Sequence, residues 1–187
     1  MHYPIFDIMA NHVIIQPPIM QMETSVVHSE YLERAVTINI YLPSKIQYLD
    51  QVSLVLFNDG QDLIKMSFDE IFSDLLTSGS IEPIVCVGIH CGPERKMEYG
   101  TAYSADFNGR GAKAGLYSKF IFDELLPFIR KKYNAPSFKD KSFAGFSLGA
   151  LSAMDIAWNY ASEFRKVGLF SPSLWWRRKG YEDGYDD

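Results

Sequence analysis

The hydrophobic pattern of this chain starts late. Residues 1–20 carry Pro4, Pro17 and Pro18 without a sustained apolar period, so they are expected to wrap irregularly over the surface. Met22 to Tyr31 reads as a strand. Val36-Thr37-Ile38-Asn39-Ile40-Tyr41-Leu42 alternates apolar and polar residues and stops at Pro43, as a half-buried strand near a sheet edge does. The pattern then changes character. Val52 to Phe57 and Ile84 to Ile89 are almost continuously apolar, which suits parallel strands covered on both faces. Between them, Phe68, Ile71, Phe72, Leu75 and Leu76 recur at helical spacing. Ser67 and Glu70 form a capping-box signature ahead of that stripe, and Gly79 supplies a stop.

A loop from Cys91 to about Gly115 precedes a longer helix whose buried face is marked by Tyr117, Ile121, Leu125, Phe128 and Tyr133. Pro127 removes the backbone donor that would bond the Asp123 carbonyl, so a kink or break is expected there. Lys141 to Gly145 reads as a short strand. The helix from Leu148 to about Tyr160 should turn Leu151, Met154 and Trp158 inward, and Lys166 to Phe170 is the last strand. Two antiparallel strands followed by alternating helices and strands predict an α/β fold, mostly parallel, with right-handed crossovers. No repeat or linker interrupts the pattern, so residues 1–187 read as one domain.

Composition narrows the classes. The 187 residues suffice for a sizeable core, and 47% hydrophobic with 22% charged residues argues against disorder. A net charge of −5 argues against nucleic acid as a partner, because phosphate contacts need a concentrated basic surface. Arg130-Lys131-Lys132 and Arg177-Arg178-Lys179 read as solvated ends of elements. Two cysteines make no disulfide framework. Cys86 lies in an apolar run and should pack as a small hydrophobe. Cys91 follows His90, but adjacent strand residues point to opposite faces, which disfavours a thiol–imidazole pair. No metal or cofactor site is expected. The first residues lack a basic n-region and an unbroken apolar h-region, and no run approaches the ~18 apolar residues of a membrane helix. The expectation is a cytoplasmic protein with no membrane partner.

The chemistry is concentrated at Gly145-Phe146-Ser147-Leu148-Gly149, a G-x-S-x-G pentapeptide between a strand and an Ala-rich helix. That context fits a nucleophile elbow, in which small residues let strand and helix approach while the serine is held exposed. A serine hydroxyl also needs a base and a pair of donors for a developing oxyanion. The Leu148 N–H, at the start of the helix, is the first candidate donor. The loop Phe57-Asn58-Asp59-Gly60-Gln61-Asp62 offers the second, the Gln61 N–H, whose side chain need not matter.

These segments, with Glu98-Tyr99-Gly100, Gly109-Arg110-Gly111-Ala112-Lys113, Glu124-Leu125-Leu126-Pro127 and Ser171-Pro172-Ser173-Leu174-Trp175-Trp176, follow one another along the chain. Together they resemble the Putative esterase group of α/β-hydrolases, which contains enterochelin-type siderophore esterases and feruloyl or acetylxylan esterases. The resemblance covers most of residues 21–176. It implies a three-layer α/β-hydrolase fold and a Ser-Asp/Glu-His triad in that chain order, with Ser147 as nucleophile and the Leu148 and Gln61 amides as oxyanion donors.

The implied acid and histidine belong beyond the Trp-Trp segment, on loops after two further strands. Eleven residues follow Trp176, and His2, His12, His28 and His90 all precede Ser147. The expectation is therefore a C-terminally truncated hydrolase domain that lacks the last strands. His90 ends a strand separated from the serine strand by another, about 10 Å away, which makes it a poor substitute base. Lys166 to Phe170 would become an exposed sheet edge inviting self-association, and Trp175 and Trp176 would lose covering partners.

Arg95, Tyr99, Trp175 and Trp176 suggest an aromatic and basic substrate rim, although structural roles suit each of them too. Asp155 reads as a surface charge rather than the triad acid. The implied activity is a serine carboxylester hydrolase acting on a small-molecule ester through an acyl-enzyme, without metal or cofactor, impaired in this chain. The alternatives are a non-catalytic remnant or binding module, and a site completed in trans by another chain.

Overall fold

A computed structural model describes residues 19–44, 52–135 and 137–176. Strands β1 (Met20–Ser29) and β2 (Arg34–Pro43) form an antiparallel hairpin. β2 pairs antiparallel with β4 (Ile84–Ile89), so it lies one strand in from the sheet edge. β3 (Ser53–Asn58) and β4 pair parallel, as do β3 and β5 (Lys141–Phe146), and β5 and β6 (Lys166–Phe170). The order is β1-β2-β4-β3-β5-β6. This is the mixed α/β sheet that the change from alternating to continuous apolar runs predicts.

The continuous runs serve two cores because successive side chains leave opposite faces of a strand. Leu54 and Leu56 of β3 join Val85, Val87 and Phe143 on one face, whereas Val55 and Phe57 join Cys86 and Phe146 on the other. The first face is covered by α4 (Ala114–Lys119), a π-helical segment (Phe120–Leu125), α5 (Leu126–Lys132) and α6 (Leu148–Asn159). Tyr117, Ile121, Leu125, Leu151 and Ile156 supply that layer's buried contacts. The second face is covered by α1 (Gly60–Lys65) and α2 (Phe68–Thr77), through Leu63 and Phe72. A single turn, α3 (Arg95–Glu98), interrupts the long loop after β4.

The structure corrects several local expectations. No capping box forms at Ser67, which lies at φ 50° without a side-chain cap bond. Only Met66 and Ser67 separate α1 from α2, so Ser67 takes the left-handed conformation that turns one helix into the next. Phe72 is buried on α2, whereas Ile71 and Leu75 are exposed. Trp158, expected inward on α6, is 84% exposed. The kink predicted at Pro127 takes the form of the preceding π-helical segment, which widens the turn where the ring cannot donate to Asp123. Gly79, at φ 68°, does end α2, donating its amide to Leu76 O at 3.2 Å.

Among the described residues, β6 pairs on one side only, and Val167 and Phe170 are exposed along it. No helix among the described residues is long and apolar enough to cross a membrane.

Candidate active site

Ser147 sits between β5 and α6 at φ 53°, ψ −118°. A non-glycine residue held there stores strain that the surrounding structure must overcome. It is exposed, while Gly145, Leu148 and Gly149 around it are buried. The pentapeptide explains the turn. A Cβ on Gly145 would lie 2.6 Å from the backbone C and O of Gly149, so strand and helix pack backbone to backbone. A Cβ on Gly149 would lie 2.6 Å from Asp59 Oδ2, so the end of β3 also closes on the turn. The Ser147 amide donates to Phe170 O at 3.0 Å, and its carbonyl accepts from Ala150, Leu151 and Ser173 amides at 3.1, 3.2 and 3.2 Å.

The loop after β3 is fastened to this turn by buried polar side chains. Asn58 Nδ2 donates to Gly149 O at 2.7 Å, and Tyr117 Oη donates to Asn58 Oδ1 at 2.6 Å. Asp59, at φ 59°, donates its amide to Tyr99 Oη at 3.2 Å. Its carboxylate accepts two bonds from Arg95, Nε to Oδ1 at 2.6 Å and Nη2 to Oδ2 at 2.7 Å. The Gln61 and Leu148 amides lie in the first turns of α1 and α6, where an N–H has no intrahelical acceptor. Such amides can donate to an anionic oxygen. The Gln61 side chain is engaged elsewhere: Nε2 donates to Cys91 Sγ at 3.2 Å, and Oε1 accepts from the Cys91 amide at 3.1 Å. It thereby fixes α1 to the end of β4.

Of the described histidines, His28 and His90, neither reaches Ser147. β3 lies between β4 and β5, so two strand spacings, about 10 Å, separate the His90 strand from the serine strand. His90 Nε2 instead lies 2.9 Å from Asn39 Nδ2, and burial lowers its pKa. It lines a separate cavity of about 550 Å³ with Arg34 and Cys91. His28 is on β1, at the far edge of the sheet, and His2 and His12 lie outside the described residues. Burial, together with the Asp59 carboxylate, pushes the Cys91 thiol up, which does not suit a reactive thiolate.

The polar partner of Ser147 Oγ among the described residues is Ser173 Oγ, at 3.1 Å. Sequence reasoning missed this contact, although the Ser-Pro-Ser segment was visible. It also missed the Arg95–Asp59 pair, whose members are far apart in the chain. The suggested rim divides in two. Trp175 is 57% exposed and Arg95 partly so. Tyr99 and Trp176 are not rim residues but lie beneath the surface. Tyr99 is enclosed under the Asp59 loop, where burial pushes its pKa well above the usual tyrosine value. Trp176 packs against Gly100 and Gly111, where a Cβ would lie 2.5 and 2.8 Å from the indole. The Arg110 guanidinium lies over both indoles, 5.8 Å from the Trp175 ring and 5.4 Å from the Trp176 ring.

Asp155 is not a plain surface charge. It is half-buried and accepts the Ala102 amide at 2.9 Å, pinning the loop between α3 and α4 to α6. The same loop is held at its start by Glu98, fully buried, which receives both Nε and Nη2 of Arg34 at 2.7 and 2.6 Å.

The Putative esterase family model matches residues 29–186. The chain belongs to that family. Among individual proteins, it is 26% identical over 150 residues to protein YjcH of Bacillus subtilis, covering 77% of this chain and 58% of YjcH. Enterochelin esterase from Shigella flexneri superimposes with a TM-score of 0.71 at 20% identity, covering 88% of this chain and 39% of that one. An IroE-like serine hydrolase from Shewanella oneidensis gives 0.69 at 23% identity, covering 87% and 54%. The chain therefore shares the fold of these two solved structures and spans about four- to six-tenths of the length of the three relatives.

Proposed function

We propose that this esterase-family chain carries the acyl-transfer site of a serine carboxylester hydrolase for small-molecule esters, with Ser147 as nucleophile. The observation that carries this is the Ser147 backbone, held at positive φ and exposed at the junction of β5 and α6. The Leu148 and Gln61 amides are the proposed oxyanion donors, and no cofactor enters the reaction. In this reading Ser147 Oγ gives up its proton and bonds to the ester carbonyl carbon, the ester C–O bond breaks and the alkoxide leaves with that proton as the alcohol. Water then cleaves the acyl–Oγ bond, releasing the acid and returning a proton to Ser147.

Neither described histidine reaches Ser147, so we propose that the described residues alone turn ester over slowly. The Ser147–Ser173 contact, in place of a serine–imidazole contact, also favours a second reading. In it the pocket binds without turnover until another chain supplies the base, and the exposed β6 edge is where copies associate. Intact-mass detection of a fluorophosphonate adduct, with Ser147→Ala alongside, tests the nucleophile. An adduct that vanishes in the variant supports it; equal labelling of both proteins, or a folded wild type that never labels, sinks it. Activity per molecule that rises with protein concentration would favour completion in trans.

A further inference from the structure

We infer that Ser173 is a positioning residue for Ser147, an inference that rests on Ser147 being the nucleophile. Three observations converge on it. Ser173 is 3% exposed, whereas Ser147 is exposed, so one hydroxyl of the pair belongs to the rigid interior and the other to the solvent face. Their oxygens lie 3.1 Å apart. The Ser173 backbone is itself locked: its amide donates to Ser147 O at 3.2 Å, and its carbonyl accepts from Trp176 N at 3.1 Å. The buried indole of Trp176 anchors the far end of this turn, and Ser171, at φ 48°, sets its start.

The chemistry follows from the two hydroxyls. An exposed serine side chain samples three staggered rotamers unless something holds it. A hydroxyl has one donor and two acceptor sites, so Ser147 can accept from Ser173 while its own proton points elsewhere. Ser173 then fixes one Ser147 rotamer and leaves the Ser147 proton free for a base. It also donates to Ser147 Oγ as negative charge grows there, when a hydrogen bond is strongest. Ser173 keeps its own proton throughout.

The test compares Ser173→Ala and Ser173→Thr in the full chain, with two readouts. The first is the set of three-bond couplings of Ser147 in serine-labelled protein, which report its χ1 distribution without any reaction. One rotamer is expected in the wild type and in Ser173→Thr, and averaged couplings in Ser173→Ala. The second is the rate of fluorophosphonate labelling, expected to fall about fivefold in Ser173→Ala and to recover in Ser173→Thr. Ser173→Cys, close in volume but a weak donor, should behave like the alanine variant and covers the case in which alanine disturbs folding. Unchanged couplings in Ser173→Ala would overturn the inference. A wild type that is never labelled would overturn the nucleophile reading instead, and the couplings would still decide the role of Ser173.

Discussion

Arg95 grips Asp59 with two bonds, one to each carboxylate oxygen, 2.6 and 2.7 Å long, in the loop beside the serine turn. The carboxylate is almost fully buried and the guanidinium is 30% exposed. The arrangement puts a negative charge beside the Gly149 backbone and neutralises it from the far side. It also fixes Asp59 at the left-handed φ from which α1, and with it the Gln61 amide, begins. Fork geometry of this kind suits arginine and not lysine.

Removing the cation should therefore cost more than an exposed salt bridge would. Arg95→Gln leaves the Asp59 charge buried without its partner, and we expect a loss of about 2–4 kcal/mol in urea unfolding. Asp59→Asn with Arg95→Gln should recover part of this, because the orphaned charge goes too. A double variant whose loss equals the sum of the Arg95→Gln and Asp59→Asn losses would show that the pair is not coupled.

The elbow glycines make a sharper prediction. At Gly145 an added Cβ meets backbone atoms of Gly149, which cannot swing aside as a side chain would. Gly145→Ala should cost about 3 kcal/mol and slow Ser147 labelling by parting β5 from α6. Gly115 in α4 is the control: its nearest contact for a Cβ is Ala102 O at 3.6 Å, an ordinary distance. Gly115→Ala should be neutral or gain up to about 1 kcal/mol, because alanine favours the helix. Matched thermal melts of the two variants decide the contrast.

Asp155 supplies a pH dependence. Its pKa is raised, chiefly by burial, against the opposing pull of the bonds from the Ala102 amide and Asn159. A carboxyl whose folded pKa exceeds its unfolded value binds more protons when folded. It therefore contributes stability at low pH that is lost as pH rises from ~4 through the raised value. Asp155→Asn keeps an acceptor for Ala102 without the charge. Its stability relative to the wild type should improve as pH rises from ~4 through the raised Asp155 value and then level off. A difference that is flat with pH, by urea unfolding across that range, would contradict this account.

Much of the scaffold could be read from the chain because its signals are local. The continuous apolar runs of β3 and β4 and the G-x-S-x-G turn depend on neighbours within a few residues. What escaped reading depends on partners far away or on which side of a short element faces the sheet. α1 is six residues long and opens with Gly60-Gln61-Asp62, a composition that reads as turn. Trp158 has a core residue's chemistry, yet among the described residues its side of α6 meets no second layer. Tyr99 and Trp176 look like a binding rim only until the loop between α3 and α4 is folded over them by Arg34, Arg95 and Asp155. Arg34–Glu98 and Tyr117–Asn58 span 64 and 59 positions, and nothing local announces either.

The β6 edge gives the last prediction. A strand with one unpaired side and exposed apolar residues is a template for a second strand, and folded proteins usually blunt such an edge with charge. Here Val167 is 39% and Phe170 48% exposed, with Phe170 stacked on Phe146 at 4.8 Å between ring centroids. Lys166, at the start of the strand, is its one charged residue. Sedimentation over a concentration series should show average mass rising with concentration for the wild type. Val167→Lys should shift that rise to higher concentration at little cost in stability, since the side chain is already exposed. Strand pairing at this edge would be refuted by a wild type that stays monomeric throughout, or by a variant that associates as readily.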